Sequence, residues 1–241
     1  KMADDDPNIS VEFVENIAIL TMNNGENRIS NKFLKGFNDA LDKVESNEDI
    51  QAIITTGTGR FYSNGLNLNW LGSLREQWGD DEYKKFFENL HKLFLRILSF
   101  PMPTIAAING HCYAAGAMIS LGHDYRVFNS QRGWFCINEV HMNLRVNSFM
   151  RIYLKTLIPK GRVYREMLGF GRRYTGPELL QDNMVEAIAE PKDLIETAKN
   201  VVIKHIPKGG FTREAMKNMK YDMFVQLFEF AERPLDLNAK L

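Results

Sequence analysis

Two short apolar runs constrain this chain more than any other feature: "QAIITT" (51–56) and "TIAAI" (104–108). Each is too short for a buried helix, rich in branched residues and bounded by polar or small ones, so each reads as a buried strand. Segments with helical periodicity lie between and beside them. In 31–46, Phe33, Phe37, Leu41 and Val44 share one face, and Ser30 or Asn31 can cap it. Residues 80–100 form a long amphipathic stretch that Pro101 and Pro103 end. Residues 10–22 alternate as two strands around Glu15-Asn16, and a helix is expected over about 115–122. "YRVF" and "WFCI" follow as strands, and helices are expected over 147–158, 161–169, 176–181, 191–206 and 211–230. Strands alternating with helices specify an α/β fold with parallel pairing. Residues 10–190 are read as its core, and 191–235 as a helical cap or oligomer surface of the same domain.

Composition excludes several function classes. With 241 residues, 44% hydrophobic and 25% charged, the chain can bury a sizeable core. A formal net charge of zero gives no reason to expect a nucleic-acid or anionic-membrane surface. No apolar run reaches the ~18 residues of a membrane span. Cys112 and Cys136 lack disulfide-framework and zinc-ligand spacing, and each sits in an apolar stretch as a buried, inert thiol. The acidic start "KMADDDPN" carries no signal-peptide pattern. The ending Ala239-Lys240-Leu241 is close to a peroxisomal address of the SKL type, which an import receptor would read; a cytoplasmic site is the alternative.

Three stretches could carry chemistry. "FYSNGLNL" (61–68) sets a glycine among small and amide residues. "PTIAAINGHCYAAGAMISLGHDYRV" (103–127) runs from a strand through small residues into a helix start. Amides at such a start lack intrahelical partners, and small side chains let a ligand approach them. Close helix–strand packing needs small residues too, and the residues alone leave both readings open. "WFCINEVHMNL" (134–144) places Glu139 after an apolar strand. An exposed loop glutamate is the commoner case; a carboxylate held among apolar groups would be a stronger base. Thr56-Gly57-Thr58-Gly59 lacks the lysine and spacing of a phosphate loop, the histidines lack metal spacing, and His123-Asp124 reads as a helix-end pair. No nucleophile elbow is present.

Together, from about residue 10 to 230, these stretches resemble the crotonase (enoyl-CoA hydratase/isomerase) superfamily, and most closely its monofunctional Δ3,Δ2-enoyl-CoA isomerases of the plant peroxisomal branch. The resemblance implies a spiral of β-β-α units with a helical C-terminal region, assembled as trimers or dimers of trimers. It implies an oxyanion hole made by the backbone N–H groups of Leu66 and Ala115, the latter a glycine in many relatives. Glu139 becomes the acid–base residue, with Asn138 orienting it or a water. Ser63, Asn64, Gly65, Leu66, Asn67 and Arg28 become contacts to coenzyme A, although a solvated surface arginine describes Arg28 equally well. Trp70 could line an acyl pocket or belong to the core. Hydratases of the family carry a first glutamate three residues beyond the second donor; here that position is Met118. Two departures stand out: Asn67 replaces a common aspartate, weakening any capping role, and the segment between Asp124 and Glu139 is one residue longer than in hydratases. The implied activity is isomerisation of a 3-enoyl-CoA to the 2-trans form in β-oxidation of unsaturated fatty acids. Another acyl-CoA reaction (dienoyl-CoA isomerisation or atypical hydration) and an inactive acyl-CoA-binding scaffold are the alternatives. The substrate is an acyl-CoA thioester, with no metal, no further cofactor, no nucleic acid and no membrane insertion implied.

Overall fold

The computed structural model describes residues 8–159, 161–206 and 209–235. The C-terminal Ala239-Lys240-Leu241 lies outside the described residues. Strands β1 (Ile9–Val14) and β2 (Ile17–Met22) form the expected hairpin, with Glu15 at φ +55° in the turn. Helix α1 (Asn31–Glu45) starts on the Ser30 side chain, which accepts from the Phe33 amide. Strands β3 (Ala52–Gly57), β5 (Thr104–Ile108), β7 (Tyr125–Asn129) and β9 (Ala187–Ala189) then add in parallel, giving the order β1-β2-β3-β5-β7-β9. Three of these strands lead directly into a second, smaller parallel sheet of β4 (Phe61–Ser63), β6 (His111–Tyr113) and β8 (Phe135–Cys136). After β4 comes α2 (Leu68–Leu98), after β6 comes α3 (Ala115–Leu121), and after β8 a 3-10 turn, Glu139–Met142. The repeating unit is therefore strand, strand, helix, wound into a spiral.

The large sheet is buried on both faces, as its near-continuous apolar strands require. Ile53, Ala106, Ile108 and Phe128 face α1, α2, α3 and α4 (Ser148–Leu157). Ile54, Ile105, Ala107 and Val127 face Leu194, Ala198 and Val202 of a later helix. Both cysteines are buried. Among the described residues no helix is long and apolar enough to cross a membrane.

Several expectations need correcting. The helix expected at 80–100 is present and starts after Gly79, whose φ is +82°; what was not expected is the helical segment from Leu68 that precedes it, and α2 spans both. Asn67 does cap it, accepting the Trp70 amide at 3.2 Å, because an amide oxygen serves a cap as well as a carboxylate does. The three-residue strands β4 and β6, and β9, are too short for periodicity to reveal. The stretch expected as one helix at 161–169 is a single α turn, α5 (Arg162–Tyr164), continued as a π turn over Arg165–Gly169. Helices α6 (Gly176–Gln181) and α7 (Leu194–Lys204) stand close to where they were expected. The helix expected at 211–230 is two, α8 (Arg213–Met223) and α9 (Val225–Ala231), parted at Phe224. His123 and Asp124 do not pair. His123 bonds Thr55 Oγ1 at 2.9 Å, and Asp124 accepts from the Thr104 amide and from Lys220.

Lys220 fastens α8 to the core. Its buried Nζ donates to Asp124 Oδ2 at 2.6 Å and to the Met102 carbonyl at 2.9 Å. Removing one partner of such a pair strands the other. Lys220→Met is expected to cost about 2 kcal/mol, discounted for the partial exposure of Asp124. Chemical denaturation should show a lower midpoint with an unchanged slope.

Candidate active site

The site begins where two small-residue turns press together. Gly65 has φ +76°, and a Cβ on it would lie 2.9 Å from Ala114 Cβ and 3.4 Å from the Ala115 nitrogen. Gly116 is constrained from the other side, since a Cβ there would lie 2.6 Å from Ser63 Cβ. Only glycine fits at either position. The first turn is held by Ile29, whose amide donates to the Gly65 carbonyl at 2.8 Å while its own carbonyl accepts from the Asn67 amide at 3.0 Å. Leu66 lies between these bonds, and among the described residues its amide has no protein acceptor. Ala115 opens α3 after Ala114, which is bent to φ +50° and ψ −125°. The Ala115 amide likewise has no protein acceptor among the described residues. Two unpaired donors therefore come from adjoining turns.

A cavity of about 270 Å³ opens beside them, lined by Asn64, Leu66 and Ala114 on one side and by Asn138 and Glu139 on the other. Leu68, Tyr83, Phe87, Leu144, Val146 and Met150 make its walls largely apolar. Glu139 is the one carboxylate among the described lining residues. It heads the 3-10 turn, and its carbonyl accepts from the Leu144 amide at 2.9 Å as Asn143 turns back at φ +53°. The residue is half-buried, yet Oε2 is sealed and has no hydrogen-bond partner among the described residues. Burial pushes its pKa up to about 7, against a small opposing effect of its own backbone amide.

The other residues of the motif divide. Asn64 and Arg28 line the cavity and share Glu26, which accepts from Asn64 Nδ2 at 2.9 Å and from Arg28 Nε at 2.5 Å. The Asn64 hydrogen bond, aided by Arg28, holds the Glu26 carboxyl below its ordinary range. Ser63, Gly65 and Asn67 shape the turn from behind and are not among the lining residues. Asn138 lines the cavity, but its Nδ2 points to Met142 Sδ at 3.5 Å rather than to the Glu139 carboxylate. Met118 is fully buried in the core, and Trp70 packs edge-on against Phe86 at 5.3 Å. Arg75, Arg145, Tyr83 and Phe87 also line the cavity, and Glu26 stands behind it on Asn64 and Arg28; no motif marks these residues. For Tyr83 and Phe87 the signal was present, as two aromatics at i, i+4 on an amphipathic helix; an isolated arginine or glutamate in a loop offers none.

Comparison with known proteins gives a consistent answer. A family model described as enoyl-CoA hydratase/isomerase matches residues 12–236. The peroxisomal enoyl-CoA delta isomerase 2 of Arabidopsis thaliana is 30% identical over 167 residues, 68% of this chain and 70% of that protein. Among solved structures, a probable enoyl-CoA hydratase from Mycobacterium tuberculosis superposes with a TM-score of 0.81 at 23% identity, covering 95% of this chain and 93% of that one. The human mitochondrial delta3-delta2-enoyl-CoA isomerase superposes at 0.80 and 21% identity, covering 92% and 85%. At these identities the two structures establish the fold.

The sealed carboxylate has a consequence for stability. Between pH about 4.5, where an unfolded glutamate titrates, and about 7, the folded chain holds a proton that the unfolded chain has lost. Folding stability from this group therefore falls as pH rises through that window. Glu139→Gln removes the cost of the buried charge. Calorimetry at pH 8 should show a melting temperature raised by at least about 2 °C, and the difference should vanish near pH 4.

Proposed function

The chain belongs to the enoyl-CoA hydratase/isomerase family and has its crotonase fold, and we propose that it is a Δ3,Δ2-enoyl-CoA isomerase using Glu139 as a proton shuttle. One observation carries this reading: a single carboxylate, unpartnered at Oε2 and poised near neutrality, shares its cavity with the turn that presents the Leu66 amide. Adding water across a double bond requires a second group to hold and deprotonate that water. Where the resemblance places the hydratases' first glutamate stands Met118, packed into the core.

In the proposed reaction the thioester oxygen of a 3-enoyl-CoA accepts from the Leu66 and Ala115 amides. Glu139 Oε2 takes a proton from C2, and the C–H electron pair moves into a dienolate whose charge rests on that oxygen. Donors fixed before the reaction favour this charged state, each by roughly 3–4 kcal/mol. The same carboxyl then returns the proton at C4: the C3=C4 pair forms the new C–H bond, the C1=C2 pair of the dienolate becomes the C2=C3 double bond, and the charge on oxygen re-forms the thioester carbonyl. Glu139 ends as it began, so no further cofactor is needed. A base with a pKa near 7 is half ionised at neutral pH and returns its proton readily. Asn138 acts on a bound water or the substrate rather than directly on Glu139. Arg28, with the backbone of 63–66, meets the coenzyme A moiety, giving up its bond to Glu26 to do so. The isomerase reading fits β-oxidation of unsaturated acyl chains, and a peroxisomal setting is supported by the description of the Arabidopsis relative.

The test is ultraviolet absorbance of a 3-enoyl-CoA solution after the purified protein is added. Conjugation with the thioester should raise the absorbance, and the rise should persist; a rise followed by decay would identify a hydratase, and no change across chain lengths would end the isomerase reading. Glu139→Gln should lower kcat by about a thousandfold or more, while acyl-CoA binding survives. In the wild type, kcat/KM should climb with pH and level off above about 7, because only the carboxylate accepts the proton.

A further inference from the structure

One buried asparagine follows or ends each of three strands of the large sheet, β2, β5 and β7. Asn27 lies in the loop after β2, Asn109 directly after β5, and Asn129 at the end of β7. Their side chains form a relay. Asn129 Nδ2 donates to the Asn109 carbonyl at 2.9 Å. Asn109 Oδ1 accepts from the Gly57 amide at 3.0 Å, and its Nδ2 reaches the Gly59 and Phe61 carbonyls, each at 3.3 Å. Asn27 Nδ2 meets the same Phe61 carbonyl from the other side at 3.3 Å, with Tyr62 O at 3.0 Å and Met22 O at 3.2 Å. The Asn27 carbonyl accepts from Ser63 Oγ at 2.7 Å, and that oxygen accepts from the Gly65 amide at 3.2 Å.

The relay ends one residue before Leu66, and it crosses an irregularity. The register of β4 against β6 shifts between Phe61 and Ser63, so Tyr62 sits at a bulge. A bulge re-aims the residues that follow it and leaves backbone groups without ladder partners. Asn27 supplies a donor to the Tyr62 carbonyl there, and holds φ +49° to do so, with Oδ1 tied to the Asn24 amide at 2.8 Å. An apolar side chain could fill this volume but could not fix the direction of three carbonyls.

We propose that Asn27 is a positioning residue: through the Tyr62 bulge and Ser63 it sets the direction of the Leu66 amide. The inference rests on the oxyanion role given to that amide above. Loss of the Asn27 side chain then lets the turn relax by a fraction of an ångström, which weakens binding of the developing oxyanion more than binding of the substrate.

Two readouts test it together on the purified chain: steady-state isomerisation, and the infrared carbonyl stretch of a bound saturated acyl-CoA carrying carbon-13 at C1. In the wild type the stretch should fall below its value in water, because the two amides polarise the carbonyl. Asn27→Gly keeps the positive φ without strain and removes only the side chain. It should lower kcat about ten- to a hundredfold, leave KM within about threefold, and return the stretch toward its free value. Should that variant fail to fold, Ser63→Ala, which removes only the hydroxyl between Asn27 and Gly65, must give the same pattern in the same direction. Wild-type kcat and stretch in the folded variants overturn the positioning role and leave the isomerase reading intact. A wild type with neither turnover nor a shifted stretch overturns both.

Discussion

Everything at the site depends on the close approach of two turns, with Gly65 against Ala114 and Gly116 against Ser63. A methyl group at either glycine would drive the turns apart, because its nearest neighbours stand under 3.0 Å away. That contact brings an amide from the end of the small sheet beside an amide from a helix start. It also explains why the structure tolerates Ala114 at φ +50°, a conformation costly for a residue with a Cβ. Contacts on both sides over-determine the bend.

The second feature is a carboxylate placed where folding alone would not put it. Nothing among the described residues satisfies Glu139 Oε2, and burial raises its pKa to about 7. Two other acids near the core are partnered instead. Glu26 is shared by Asn64 and Arg28, and Asp124 by Thr104 and Lys220. The contrast supports the chemical role proposed for Glu139, since a buried polar atom without a partner is a cost that a purely structural residue avoids.

The fold was legible wherever an element was long and periodic. β3, β5 and α1 could be read from burial pattern alone, because each hides a whole apolar face. The small sheet could not, since three residues show no period. Nor could the start of α2, whose first turns carry no strong stripe and whose break at Gly79 hides the junction. In the site, the motif residues Asn64 and Asn138 line the cavity, while Ser63 and Asn67 of the same motifs belong to the scaffold behind it. Motif order cannot tell these roles apart, for adjacent residues in a turn point in opposite directions.

By itself the sequence determined the α/β class, the family motifs and the replacement of a potential acid by Met118, because these are properties of residue type, order and spacing. Tertiary structure alone decided that Glu139 Oε2 is sealed rather than exposed, that Tyr83 and Phe87 wall its cavity, and that Asn27 and Asn109 meet at the Phe61 carbonyl, with Asn129 holding the Asn109 backbone. The physical reason is that desolvation and hydrogen-bond direction depend on neighbours distant in the chain. Those neighbours are assigned only when the spiral closes and sets the ends of separate strands side by side.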